Sequence, residues 1–239
     1  MQKINNNSIS IMQPYIFPYI GYFHLIEASD LFIFYDDVNY IKRGWINRNR
    51  ILLNNSDYLF SIPTSKASQN KLINEIKPII DEKWKRKFYH NLDFAYKKAP
   101  YYSDVIKLVK ETIETEYNDV TDLCIKSIEM VYSYLGKSFN YVKSSDYSPE
   151  TKGLEKADRL IEITKKTGMS KYSNAIGGQT LYNKQYFKEN GIELSFVKSK
   201  LQDYKQFKND FVIGLSIIDV LMFNDKKTII KYFDDYELI

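Results

Sequence analysis

Apolar and polar positions alternate from Ser8 to Met12 and stop at Gln13, a period of two that predicts a short strand. Pro14 and Pro18 then bracket Tyr15, Ile16 and Phe17. Pro18 suits the first turn of a helix, where its missing N–H costs nothing, and the spacing of Ile20, Phe23 and Leu25 or Ile26 predicts that helix from about Tyr19 to Ala28. Leu31 to Tyr35 is a continuous apolar run of strand length, suited to a strand covered on both faces, and it ends in Asp36 and Asp37. Strand, helix and strand in this order make a βαβ unit.

Arg50–Leu53 and Tyr58–Ile62 flank the polar run Asn54–Asp57 and read as a β-hairpin. The middle of the chain carries the 3.6-residue period near 82–98, 101–116 and 119–135, with Gly136 as a stop. Strands are expected at Asn140–Lys143, Lys171–Ser173 and Glu193–Val197, alternating with helices near 154–167, 179–190 and 215–233. The pattern is that of an α/β fold: a mostly parallel sheet with flanking helices, a β-hairpin and a helical elaboration in the middle of the chain. Residues 1–239 are read as one α/β domain with a helical subdomain at about 80–136.

Composition narrows the function. No run approaches the roughly 18 apolar residues of a membrane span. Met1 to Ser8 is polar and Asn-rich, without the apolar stretch of a secretory leader, so a cytoplasmic location is expected. Cys124 is the single cysteine and His24 and His90 the two histidines; neither a disulfide nor a Cys/His zinc site is expected, and no metal-ligating set is named. A Mg²⁺ held by a carboxylate and substrate phosphate stays open. The net charge of +4 is mild and mixed along the chain, which excludes a DNA-binding stripe. The exception is Lys42 to Arg50, four cations without an acid.

Open α/β sheets bind ligands beyond the carboxyl ends of their strands, and several predicted strands end in polar residues. Gln13, Asp36 with Asp37, Ser144 with Ser145, and Asn174 followed by Gly177 and Gly178 are expected to share one cleft. In the first turn Pro18, Gly21 and Tyr22 open a helix whose free N–H groups suit an anion; the alternative is a stiffened loop whose aromatics fill the core. Arg43, Arg48 and Arg50 have the fork geometry for a diphosphate, with Trp45 stacking on a base or sugar and Asn47 beside them; the alternative is a solvated basic loop. Asp36 or Asp37 would hold Mg²⁺, act as a base toward an amine, or pair with the arginines. His24 is either a general base or a satisfied helix histidine. Asp219, three residues after Ser216, resembles half of a capping box, with a cleft role as the alternative. Cys124 falls on the helical stripe of Val120, Leu123, Ile128 and Val131 and is expected in the core.

These residues also carry a resemblance. Gln13-Pro14 with Phe17-Pro18-Tyr19 and Gly21-Tyr22, then Tyr35-Asp36-Asp37, Arg43-Gly44-Trp45 through Arg50, Ser144-Ser145, Gly177-Gly178 and Leu215 to Met222 resemble the WbqC-like family over almost the whole chain. The resemblance implies a place in bacterial O-antigen and related surface-polysaccharide biosynthesis, with transfer of glycine or another acyl group to the amine of a nucleotide-linked amino sugar. Gln13, Tyr22, Asp36, Asp37 and His24 are then the catalytic candidates; in the family pattern His24 stands where another polar or aromatic residue is usual. The cofactor is open between ATP with Mg²⁺ and an already activated acyl donor, an aminoacyl-tRNA included. A fainter similarity of the turn after the first strand to nucleotidyltransferases implies an ATP-binding alternative, although Tyr19 and Tyr22 replace both histidines of that motif. A non-catalytic partner in a polysaccharide assembly complex is the third reading.

Overall fold

The structure is a computed structural model that describes residues 7–154, 156–207 and 210–239; the polar leader reading of residues 1–6 lies outside them. Strand β1 (Ser8–Met12) is buried on both faces. Its small serines face helix α1 (Ile20–Glu27), donating from Ser8 Oγ to the Ala28 carbonyl and from Ser10 Oγ to the Leu25 carbonyl, each at 3.1 Å. The alternation therefore marks a close helix contact rather than a wet face. Pro18 precedes the N-cap Tyr19 instead of opening the first turn, and it is buried with its carbonyl bonded to the Ile217 N–H.

Strand β2 (Leu31–Phe34) pairs in parallel with β1, Ile9 opposite Leu31 and Met12 opposite Phe34. The hairpin is β3 (Arg48–Leu53) and β4 (Ser56–Ser61). Asn54 and Asn55 both have positive φ, 51° and 63°, the type I′ turn that asparagine tolerates best. Helices α2 (Glu82–Tyr96), α3 (Tyr102–Glu114) and α4 (Val120–Tyr134) follow. Asp81 caps α2 through the Trp84 N–H and Asp119 caps α4 through the Asp122 N–H. Then come β5 (Tyr141–Lys143), the single turn α5 (Ser144–Tyr147), α6 (Lys156–Lys166), β6 (Lys171–Ala175), α7 (Lys184–Glu189) and β7 (Glu193–Ser199).

The sheet order is β5-β2-β1-β6-β7, all parallel, with one further strand, β8 (Tyr236–Leu238), antiparallel on the β7 edge. The chain steps outward from β1 through β2 to β5, then crosses back by α6 to place β6 on the other side of β1. The carboxyl ends of β1 and β6 thus part at the topological switch point of the sheet. Two cores cover the two faces. The larger joins α1, α2, α3 and α4 with Phe32, Phe34 and the hairpin's Ile51 and Phe60; the smaller packs α6 and α7 on Ile9, Ile11 and Ile33.

Two expected helices need correction. The helix expected at 215–233 is two, α8 (Ile217–Phe223) and α9 (Lys226–Phe233). The break lies where Asp225 caps α9 through the Thr228 N–H at 2.8 Å. The helix expected at 179–190 shortens to α7, preceded by a tight turn over Ile176–Thr180. Strand β8 has no counterpart in the sequence reading. Among the described residues no helix is long and apolar enough to cross a membrane.

Candidate functional site

Between β1 and α1 the chain makes a turn that three other elements hold. Phe17 has φ of 40°, a region where a bulky side chain is strained by about 1–3 kcal/mol. The surroundings fix it there. Its N–H donates to Ser127 Oγ of α4 at 3.0 Å, and its carbonyl accepts from Ser216 Oγ at 2.7 Å and from Asn49 Nδ2 of β3. Asn49 also reaches the Ile16 carbonyl, and the Ile16 N–H bonds the Ile46 carbonyl. Asn49 is 1 % exposed; an asparagine within a basic run carries no local signal for this role.

The turn opens on a cleft of about 410 Å³ at the switch point. Gln13, Tyr15, Tyr19 and Tyr22 line one side, Ile41 and Trp45 another, and Ala175 from the end of β6 closes it. The Tyr19 ring folds over Gly21 so closely that a Cβ there would overlap the ring. Tyr22 donates from its hydroxyl to the Gln13 carbonyl at 2.8 Å. The side-chain amide of Gln13 makes no hydrogen bond among the described residues, a polar group left for a ligand in a largely apolar cleft. Tyr15 stacks on Trp45 with centroids 6.1 Å apart and meets Tyr22 edge-on at 6.0 Å. Burial pushes the Tyr22 hydroxyl well above its ordinary pKa, and that of Tyr15 likewise, though Arg50 and Arg48 pull Tyr15 back. Both phenols stay neutral donors at physiological pH.

At the rim the guanidinium carbons of Arg48 and Arg50 stand 5.7 and 5.4 Å from the Trp45 ring centroid, within cation–π range. The two arginines differ in what else they do. Arg48 uses Nε on the Gly44 carbonyl at 2.6 Å and engages neither terminal nitrogen among the described residues. Arg50 binds Asp57 and the Gly214 carbonyl, both at 3.2 Å. Arg43 is exposed at the loop tip with φ of 59°. Asn47 ties that loop to the hairpin, accepting from Tyr40 Oη and donating to the Ile62 carbonyl, both at 2.7 Å.

The expected single cleft is divided. Asp36, Asp37, Ser144 and Ser145 lie at the same edge of the sheet but form a closed network away from the lining residues of the cleft. Asp36, 1 % exposed, accepts from the Ser145 N–H at 3.0 Å and from Ser145 Oγ at 2.7 Å. Ser144 Oγ lies 2.5 Å from Asp37 and 3.0 Å from Asp36; its one proton serves the nearer. Asp37 also takes a 2.5 Å bond from Arg159, whose Nε donates to Thr151. Arg159 was missed because it sits 122 positions away in an ordinary amphipathic helix.

Asn174 turns back on its own strand end, accepting from the Ala175 N–H at 2.7 Å. A Cβ at Gly178 would lie 2.7 Å from its amide, so a larger residue there would displace the Asn174 side chain, while Gly177 faces open space. Asp219 corrects the capping-box reading. Ser216 does cap α8 through the Ile218 N–H, but the Asp219 carboxyl turns inward to Tyr204 Oη, Gln206 Nε2 and Tyr96 Oη at 2.6, 2.7 and 2.8 Å. Cys124 is buried against the Ile46 carbonyl, in the core as expected.

His24 faces away from the cleft, toward α9 and Tyr236. Its Nε2 lies 2.7 Å from the Tyr232 carbonyl and so carries the proton, while Nδ1 is buried without a partner. Burial lowers its pKa. On acidification the unfolded chain binds this proton first, so stability is lost as pH falls below about 6.5 toward the lower folded-state value. Thermal melts from pH 7 to 5 should show this loss, with a slope of up to about 1.4 kcal/mol per pH unit from this group. His24→Gln should flatten it; an unchanged slope in that variant would place the titration elsewhere.

No solved structure is significantly similar to this chain. The uncharacterized protein Rv1507c of Mycobacterium tuberculosis (strain ATCC 25618 / H37Rv) is 29 % identical over 217 residues, covering 89 % of this chain and 92 % of its own length. The WbqC-like protein family model matches residues 13–231, which takes in the turn after β1, the Trp45 loop, the end of β6 and α8, and the chain belongs to that family.

Proposed function

We propose that the protein forms an amide on the amine of a nucleotide-linked amino sugar, transferring glycine or another acyl group. The observation that carries this reading is the cleft at the switch point of a parallel sheet, with an aromatic wall and guanidinium groups at its rim. Such a site suits a ligand with a planar or apolar body and a diphosphate. In this reading the stacked Tyr15 and Trp45 form one wall against the base or sugar, Arg48 holds phosphate oxygens, and the free Gln13 amide orients the reacting group. The N-terminus of α1, which no side chain caps, faces negative charge that develops there. Asp36 and Asp37, enclosed by Ser144, Ser145 and Arg159, position the loop that starts at the end of β2 and carries Trp45.

Melting the purified protein with ATP, coenzyme A and the dTDP, UDP, GDP and CMP forms of amino sugars tests the reading. A specific ligand at about 100 times its dissociation constant adds ~2.7 kcal/mol, roughly 5–10 °C for a chain of this size. A shift with one nucleotide-sugar selects the acceptor to assay for amide formation with glycine. A cooperative melt that none of them moves rules out the diphosphate site.

The strand order favours a second reading. With the five parallel strands numbered in chain order, the sheet order 3-2-1-4-5 is a nucleotide-binding arrangement, and the uncapped α1 follows β1 directly. An enzyme of this kind would activate the carboxylate as an adenylate. Glycine-dependent exchange of pyrophosphate into ATP would support it, and a carrier-dependent transferase would show none.

A further inference from the structure

The loop tip from Ile41 to Trp45 lines the cleft on one side and faces solvent on the other. Ile41 is 52 % exposed and Trp45 43 %, and the side chains of Lys42 and Arg43 between them are exposed as well. Between Asp37 and Asp57 the chain has four cations and no acid. Among the described residues neither Lys42 nor Arg43 forms an ion pair. Across the cleft, Ala175 leads into the turn that exposes Ile176 at 40 % and Leu181 at 73 %. Exposed apolar side chains thus stand on the loop that lines one bank of the cleft and on the turn that follows Ala175 on the other, with unpaired cations on the first.

A soluble phosphorylated ligand explains cations near the Trp45 ring and an apolar Ile41 in the cleft wall, but gives no role to a Leu181 left in water. A bilayer surface accounts for both. Aliphatic side chains and an indole partition into the interface, and lysine and arginine beside them meet lipid phosphates. The absence of acids between Asp37 and Asp57 fits a negatively charged leaflet, where each cation near the surface contributes roughly fivefold in binding. We propose that this edge of the molecule docks on an anionic lipid bilayer through Ile41, Lys42, Arg43, Trp45, Ile176 and Leu181. The cleft then opens toward the membrane surface.

The test is cosedimentation of the full chain with vesicles of phosphatidylcholine alone and of phosphatidylcholine mixed with phosphatidylglycerol. In a Trp84→Phe background Trp45 is the sole tryptophan, and its emission reports the contact. The expected result is association with the anionic vesicles, weakened by salt, with a blue shift and quenching by brominated acyl chains. Lys42→Ala with Arg43→Ala should lower binding by about 25-fold. Ile176→Ser with Leu181→Ser should also lower it, at an unchanged melting temperature because both side chains are exposed.

Failure to associate with anionic vesicles overturns the proposal. So does association that both double variants leave intact, or that leaves Trp45 unquenched, since the contact would then lie elsewhere. Ligand-induced melting shifts are read without vesicles, so this proposal and the nucleotide-sugar reading fail separately.

Discussion

Asp219→Ala should lower stability by about 3–5 kcal/mol, a drop of roughly 6–20 °C in melting temperature. The carboxyl is fully buried and takes bonds from Tyr96, Tyr204 and Gln206. Alanine would leave three buried donors without a partner and open a cavity among them. Tyr96 is doubly placed, because its hydroxyl also accepts from the Leu52 N–H of β3. Gln206 in turn holds Val212, accepting from its N–H and donating to its carbonyl. The network ties the segment between β7 and α8 to the hairpin and α2. A variant melting within about 2 °C of wild type would show that the network holds nothing.

A pH comparison separates the charge of this group from its shape. Burial raises the Asp219 pKa above the ordinary 3.8, partly countered by its three donors. A raised folded-state value means that stability from this group is fully present below pH 3.8 and is lost as pH rises through the higher value. Asp219→Asn has nothing to titrate. The advantage of wild type over Asp219→Asn should therefore narrow from acid toward neutral pH in paired melts. A gap that widens would mean that the carboxylate form is the one the fold prefers.

The segment that Asp219 anchors reaches the cleft by two routes. Gly214 holds Arg50 by its carbonyl, and Ser216 with the Ile217 N–H holds Phe17 and Pro18. Loss of the network is therefore expected to loosen the strained turn at Phe17 and weaken ligand binding from a distance. Substitution of Asp219 should be read as a change in positioning unless ligand affinity falls further than the loss of folded protein explains.

The elements that were legible in the sequence are those whose signal is local. The apolar run from Leu31 and the spacing of the middle helices read correctly because burial repeats at a fixed period. The hairpin read correctly because two asparagines permit a left-handed turn. The edge strand β8 was invisible, since three residues hold their conformation only by pairing with β7. The break at Asn224 and Asp225 was hidden inside a periodic apolar stretch, where the cap of α9 competes with helix continuation. Asp219 misled for a similar reason, since Ser216 and Asp219 match a local capping pattern while the carboxyl answers to Tyr96, 123 positions away. The site was legible as a set of strand ends and a basic run. Its division into an aromatic cleft and a closed carboxylate network depends on strand order and on Arg159, neither of which a local pattern encodes.

The second large effect is expected at Arg48 and should be absent at Arg50, although the sequence presents the two as equivalents. If a diphosphate lies beside Trp45, Arg48 offers it two terminal nitrogens that no described residue engages, on a side chain already fixed by the Gly44 carbonyl. A charge-assisted bond of this kind contributes about 1.5–3 kcal/mol, so Arg48→Ala should weaken nucleotide-sugar binding roughly 10- to 150-fold while moving the ligand-free melting temperature by no more than about 2 °C. Arg48→Lys should recover only part of the affinity, because an ammonium cannot match two phosphate oxygens at once. Arg50 has both terminal nitrogens engaged, on Asp57 and on Gly214. Its replacement by alanine should act first on the segment before α8, as a lower melting temperature, and only weakly on affinity. Titrations of the three variants with the ligand that shifts wild type decide the matter. The reverse order, with Arg50 essential and Arg48 silent, would move the phosphate to the Gly214 side of the rim. Unchanged affinity in all three would place the diphosphate away from Trp45 altogether, leaving the aromatic cleft to the acyl donor.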